Sequence, residues 1–429
     1  MVTATPLDWR KIGHDLLLAG GANFFRKLIS YVVVVTLARY LNKDDVGAMF
    51  LAASIASVAA VLTELGTTRY VVREIAVDSS RAARALGAVL ALRIPLLAIV
   101  CSVLSIVVWA AYREIALAVS LSSLYVFLES LFFSFSGVFV ATRNVRYRVL
   151  ADVSSQVLLV ALVFLAVRWD AGFVTILLCY VAANSLLVAA AVAMYLSRIG
   201  PLELQWDLDI FRRILRQSLP FFALMSLSVL HFKVDTLMLG FMASLEAVAN
   251  YEIAYKFLEV SRIVVRPVAM VFLPICTALV AQAAWPMFSG LAKKLFLGTL
   301  LAAVVGAAVV VGGAGAVMGT VFGPSYSPSV PILRILFLAL PAVYVSFIGS
   351  VLANALVLDK RLIRATVACL LLNVLANLYA IPRWAGIGAA WTTLATETLL
   401  GVWTWILVVG AVRHARRHVA PDALAGREQ

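Results

Sequence analysis

Eight of the 35 lysines and arginines stand inside long apolar stretches: Arg26, Lys27, Arg93, Lys233, Lys256, Arg262, Arg266 and Arg334. Five acids, Glu129, Asp235, Glu252, Glu259 and Glu397, lie well inside the same stretches. A lysine or arginine at mid-membrane costs roughly 2.5 to 3.5 kcal/mol on insertion scales, so eight facing lipid would cost on the order of 20 to 28 kcal/mol. They must face water, acids or an anionic ligand. Glu252, Lys256, Glu259 and Arg266 recur at helical spacing within about 80° of arc, which makes one helix face polar. The chemistry open to such residues is binding of phosphate or carboxylate by the cations, and carriage of a coupling ion, H⁺ or Na⁺, by Asp235, Glu252 and Glu259. Internal salt bridges, such as Glu252 with Lys256 one turn later, account for the same residues equally well. Lys233, Arg262, Arg334 and Arg93 are also placed to snorkel to an interface. Arg26 and Lys27 are adjacent, about 100° apart on a helix, and a single neighbour cannot neutralise both, which favours a cavity lining.

Catalytic signatures are missing. There is no phosphate-binding G-x-x-x-x-G-K-[ST] loop, no intramembrane metal triad, no nucleophile elbow and no hydrolytic carboxylate pair. Four cysteines and four histidines are scattered without metal or disulfide spacing. No cofactor is expected, and the chain reads as a transporter, not an enzyme. The formal net charge of +13 is not gathered on a soluble basic face, so nucleic acid is not the expected partner.

The elements that must position these charges are membrane helices. The sequence is 63% hydrophobic and 13% charged, with a mean hydropathy of +1.01, against about 45 to 50% and about 25% in ordinary soluble domains. Apolar runs place twelve spans near 15–39, 46–66, 82–110, 114–142, 148–168, 171–196, 218–244, 247–280, 291–321, 329–357, 362–381 and 385–411. The tails and even-numbered loops hold 22 lysines and arginines against five in the odd-numbered loops. By the positive-inside rule this puts both termini and the even loops in the cytoplasm. The first apolar segment carries Arg26 and Lys27 and no cleavage site, so it is expected to stay in the mature chain.

The expected fold is therefore all-α: a polytopic membrane protein of about twelve transmembrane helices in two six-helix lobes, 1–206 and 207–429. The polar stretch Ser197 to Gln217 is the linker, with Leu208, Phe211, Ile214 and Leu215 set against Arg212, Arg213 and Arg216. Two short echoes suggest duplication: Val46-Gly47-Ala48-Met49 with Val248-Ala249-Asn250-Tyr251, and Arg168-Trp169-Asp170-Ala171-Gly172 with Arg383-Trp384-Ala385-Gly386. Six spans per half would make the halves parallel repeats, with a cationic path between them. Gly20-Gly21, Pro95, Pro220, Pro267, Pro274 and Pro341 are candidate kinks.

Several segments resemble the multidrug/oligosaccharidyl-lipid/polysaccharide (MOP) exporter superfamily, and within it the Wzx-like polysaccharide flippases. They are Leu37-Ala38-Arg39-Tyr40-Leu41, Asp45-Val46-Gly47, Leu65-Gly66-Thr67-Thr68-Arg69, Val72-Arg73-Glu74-Ile75-Ala76, Ser218-Leu219-Pro220-Phe221, Asp235, Ala254-Tyr255-Lys256, Phe322-Gly323-Pro324 and Gly386-Ile387-Gly388-Ala389-Ala390-Trp391. The resemblance implies alternating access and export of undecaprenyl-diphosphate-linked oligosaccharides across a bacterial plasma (inner) membrane. It also implies membrane lipids, a polysaccharide polymerase and glycosyltransferases as partners. Under that reading Arg26, Lys27, Lys256 and Arg266, with Arg93, Lys233 and Arg334 behind them, hold the diphosphate or acidic sugars. A cation-coupled drug antiporter built around Asp235 or Glu252, and a non-transporting scaffold with every buried charge paired, remain the alternatives.

Overall fold

In the computed structural model of the chain, the backbone is described for residues 9–425 and side chains for 21, 26–78 and 80–416. The tail cations Arg10, Lys11, Arg417 and Arg427, and His14 and His418, lie outside the described side chains. Among the described residues there is no strand. The helices are α1 (Trp9–Tyr40), α2 (Lys43–Glu64), α3 (Thr67–Val77), α4 (Ala82–Ala111), α5 (Arg113–Ala141), α6 (Val145–Arg168), α7 (Phe173–Arg198), α8 (Leu208–Met242), α9 (Leu245–Ala281), α10 (Trp285–Val321), α11 (Ser329–Leu338), α12 (Leu340–Ala355) and α13 (Asp359–Ala425).

The solvent preference of these helices is inverted. On α4, Ile99, Val103 and Ile106 are 59%, 55% and 68% exposed while Arg93 is fully buried, as expected where lipid is the surrounding medium. Among the described residues nine helices are long and apolar enough to cross a membrane, and α11 with α12, bent by 40°, makes a tenth. That bend falls at Leu340-Pro341, one of the candidate kinks; Pro95, Pro220, Pro267 and Pro274 lie inside continuous helices. The protein is a multi-pass membrane protein.

α13 is two helices joined at Ala385, whose backbone (φ 45, ψ −126) is not helical. Asn377 accepts a hydrogen bond from Thr392, and Asn373 donates to Thr396 at 3.5 Å. The partners retreat by four on one arm as they advance by four on the other, so 359–384 and 386–425 run antiparallel. Counting both arms, and the 32-residue α1, the helices correspond to the twelve predicted spans. At the hairpin a Cβ on Gly388 would stand 2.5 Å from the carbonyl oxygen of Ala380. Gly388→Ala is accordingly expected to cost about 1 to 3 kcal/mol, read as a fall in the melting temperature of the detergent-solubilised protein.

The chain divides into two compact units, Met1–Lys233 and Val234–Gln429. In the first unit, Tyr70 and Val71 of α3, Leu86 of α4, Phe135 of α5, Tyr195 of α7 and Ile214 of α8 share one buried cluster. The linker is not a free tether. A Cβ on Gly87 would stand 1.7 Å from the backbone oxygen of Glu203, and Arg84 pairs with Glu203 at 3.8 Å, so residues near 203 lie directly on α4. Of the four apolar linker residues, Ile214 is buried and Phe211 half-buried, while Leu208 and Leu215 are exposed. Gly66 (φ 71) follows the left-handed Leu65 (φ 49) to turn α2 into α3, and only glycine fits there, since a Cβ would meet Ser218 O at 2.8 Å.

In the second unit, α9 starts at its N-cap Ser244 as α2 starts at its N-cap Asn42. Val46 and Val248, which open the first pair of echoes, each stand four residues past that cap and are buried. In the second pair, the residue after each tryptophan, Asp170 (φ 51) and Ala385 (φ 45), is left-handed. Each pair of echoes thus shares one backbone feature, a capped helix start in the first and a positive φ in the second.

Candidate functional site

In the first unit, four helices enclose a polar cleft of about 230 Å³. α1 contributes Arg26, Lys27 and Ser30, α5 contributes Tyr125 and Glu129, α6 contributes Gln156, and α7 contributes Tyr180 and Asn184. Arg26 Nη1 donates to Glu129 Oε1 at 3.3 Å, and its Nε stands 3.9 Å from Asp152 Oδ2 on α6. The Arg26 and Glu129 side chains keep about a third of their surface open, 31% and 34%, whereas Asp152 is 8% exposed. The other Asp152 oxygen, Oδ1, is buried with no hydrogen-bond partner among the described residues. Arg148, half-buried on α6, lies within electrostatic range of both Asp152 and Arg26, so three cations stand with two acids in and beside this cleft. The sequence reading counted Glu129 but placed Asp152 at a span end. The signal was present: Asp152 and Gln156 are four residues apart, which puts both on one face of α6.

Arg93 is elsewhere. It is fully buried between α4 and α5, where Nη1 donates to Ser134 Oγ at 2.6 Å and Nη2 donates to Ser130 O at 2.9 Å and to the Ser130 hydroxyl. This is a helix-to-helix clamp with no surface open to a ligand. Lys233 is half-buried on α8.

In the second unit, Asp235 is the centre of a buried network. Asn377 Nδ2 donates to its Oδ1 at 2.6 Å, and Tyr251 Oη and Thr393 Oγ1 both lie 2.8 Å from its Oδ2. Asn377 uses its second N–H on Asn373 Oδ1 at 3.0 Å. Such a set of donors suits an ionised carboxylate, which can only accept. Asp235 therefore ties α8 to α9 and to both arms of α13. One position along each helix, Thr236 donates to Glu252. Lys256 donates to Glu259 at 2.8 Å, and Arg262 donates to Glu397 at 3.1 Å, so α9 carries a short ladder of ion pairs. Arg266 and Arg334 are exposed and make no hydrogen bond or ion pair with a described residue. Within their own units, then, Arg26 and Lys27 share a cleft, Asp235 and Glu252 lie on adjacent rungs, Lys256 meets Glu259, and Arg93, Arg266 and Arg334 join none of these groups. Sequence reading did not single out Asn373, Asn377 or Thr393, although asparagines one turn apart in an apolar span were a visible sign.

Residues 12–280 match the profile of the family described as polysaccharide biosynthesis protein. No curated protein sequence matches significantly. Among solved structures the chain is similar to a multidrug resistance MATE family transporter of the MOP superfamily in an inward-facing conformation, with a TM-score of 0.74 and 14% identity over 91% of this chain and 96% of that one. It is similar to the lipid II flippase MurJ in an inward closed conformation, with a TM-score of 0.73 and 13% identity over 95% and 93%. A MOP superfamily transporter from Pyrococcus furiosus aligns with a TM-score of 0.62 and 14% identity over 94% and 95%. At these identities the likeness is one of fold.

Proposed function

We propose, on the premise that this chain belongs to the polysaccharide biosynthesis protein family, that it is a flippase. Its substrate is a lipid-linked anionic oligosaccharide, an undecaprenyl-diphosphate-linked unit, carried across the bacterial plasma membrane by alternating access for surface polysaccharide synthesis. The observation that carries this reading is the polar cleft at Arg26 and Lys27. Its volume of about 230 Å³ is below the roughly 300 to 1,000 Å³ of pockets for drug-sized ligands. That suits a diphosphate better than a sugar chain. A guanidinium can take two phosphate oxygens at once and an ammonium adds a second point of charge. Because Glu129 and Asp152 already stand beside Arg26, an incoming diphosphate exchanges places with carboxylates, and their protonation favours that exchange. Lys256 and Arg266 are further candidates for contacts with acidic sugars, with Lys233 and Arg334 behind them.

Ion coupling is assigned to Asp235, with Glu252 and Glu259 as lesser candidates. The donor shell of Asp235 fits its anionic form, so an arriving H⁺ or Na⁺ must rearrange that shell, and with it the contacts of α8, α9 and α13. Polysaccharide polymerase and glycosyltransferases are the expected partners in the membrane.

The test is reconstitution of the full chain in vesicles with a fluorescent undecaprenyl-diphosphate-linked sugar in one leaflet. Accessibility of the sugar to a membrane-impermeant reagent on the other side is expected to rise with time only when the protein is present. Movement of a lipophilic drug cation with none of the lipid-linked sugar would replace this reading with the drug antiporter.

A further inference from the structure

The second unit carries a groove that the transport reading does not use. It runs between α10 and the second arm of α13, has a volume of about 440 Å³, and is floored by Phe288, Phe296, Trp405, Val408 and Val412. The floor is fixed. Phe296 packs edge-on against the Trp405 indole with ring centroids 4.7 Å apart, and Trp405 Nε1 donates to Val345 O at 2.9 Å. One end of the groove is ringed by Lys293, Arg413 and Arg416, and no acid lines it. Arg416 is held in place by Ser289 Oγ at 2.7 Å and Trp285 O at 3.3 Å. Lys293 and Arg413 are exposed and make no hydrogen bond or ion pair with a described residue.

Three cations of one sign at the mouth of an apolar groove are complementary to an amphiphile with an anionic head. The distribution of lysine and arginine assigns these ends of α10 and α13 to the cytoplasmic face, where anionic lipid is attracted by basic residues and basic pockets between helices hold lipid headgroups. Leu301, Val402 and Ile406, on the same two helices, are 66%, 55% and 64% exposed, so this side of the unit faces acyl chains. We propose that the groove is a binding site for one anionic phospholipid of the cytoplasmic leaflet. Its phosphate sits between Lys293 and Arg413, and one acyl chain lies over Trp405. The proposal stands independently of the substrate that is transported.

Trp405 reports on the groove directly. The full chain is reconstituted in phosphatidylcholine vesicles doped with brominated phosphatidylglycerol or with brominated phosphatidylcholine, and quenching of tryptophan fluorescence is compared with that of Trp405→Phe to isolate the Trp405 signal. The expected result is quenching at a much lower mole fraction of phosphatidylglycerol. In Lys293→Gln/Arg413→Gln, where both changes are on the surface, that preference falls about 30-fold, from roughly 1 kcal/mol per cation. Val409→Trp, read in the same background, fills the groove and leaves the cations in place, so loss of the preference there separates a groove site from general attraction of anionic lipid. Equal quenching by the two lipids, or an unchanged preference in either variant, would overturn the proposal.

Discussion

Arg26→Ala is expected to abolish surface polysaccharide while the protein reaches the membrane in normal amount. The reason lies in the balance of the cleft. Arg26, Lys27 and Arg148 stand with Glu129 and Asp152, so removing Arg26 cancels the excess of positive charge, and the cleft then no longer attracts a diphosphate. A charge-assisted hydrogen bond is worth about 1.5 to 3 kcal/mol, so loss of the attraction alone weakens binding of the headgroup by roughly 10- to 150-fold. Stability should suffer little, because Arg26 and Glu129 are about a third exposed and such pairs contribute at most about 1 kcal/mol. Arg26→Ala/Glu129→Gln/Asp152→Asn tells the two effects apart. It removes both acids and leaves Lys27 unopposed but supplies no guanidinium at position 26, and is expected to export no better than the single variant. Normal polysaccharide in Arg26→Ala, measured beside the amount of protein in the membrane fraction, would remove Arg26 from the substrate site.

The fold was legible because a bilayer allows few solutions: each apolar run must satisfy its own backbone, so run length alone fixes a helix. The predicted span 82–110 and the helix Ala82–Ala111 agree for that reason. The site was less legible, because a charge in an apolar run announces itself while its partner need not. Arg26 was visible as an anomaly, but Asp152 sits one turn past Arg148 at the end of the predicted span 148–168 and reads as an interfacial acid until α6 begins at Val145. Arg93 has the same sequence signature as Arg26 and the opposite environment. Ser130 and Ser134, four residues apart on α5, absorb it, and paired serines in an apolar helix carry no strong pattern of their own. Asp235 was visible as a carboxylate, whereas its shell is drawn from Tyr251, Asn377 and Thr393. Those residues come together only after the α13 hairpin has formed.

That shell makes Asp235→Ala the substitution with the largest expected effect on stability. Asp235 is 8% exposed, so water does not replace the lost carboxylate, and the donors of Asn377, Tyr251 and Thr393 lose their shared acceptor together. At about 1 to 3 kcal/mol for each buried group left unsatisfied, partly recovered where Thr393 turns fully to Ala389 O, 2.9 Å away, the net loss is about 3 to 5 kcal/mol. The melting temperature of the solubilised protein is expected to fall on the order of 10 °C. Asp235→Asn has nearly the same shape but keeps one acceptor oxygen and turns an amide toward a donor, so its loss should be roughly half as large. Because the asparagine also mimics a permanently uncharged Asp235, transport by that variant should no longer respond to an imposed H⁺ or Na⁺ gradient. If Asp235→Ala melts with the wild type, the network does not hold α8 to α9 and α13. If Asp235→Asn transports with its gradient dependence intact, ion coupling belongs to Glu252 or Glu259 instead.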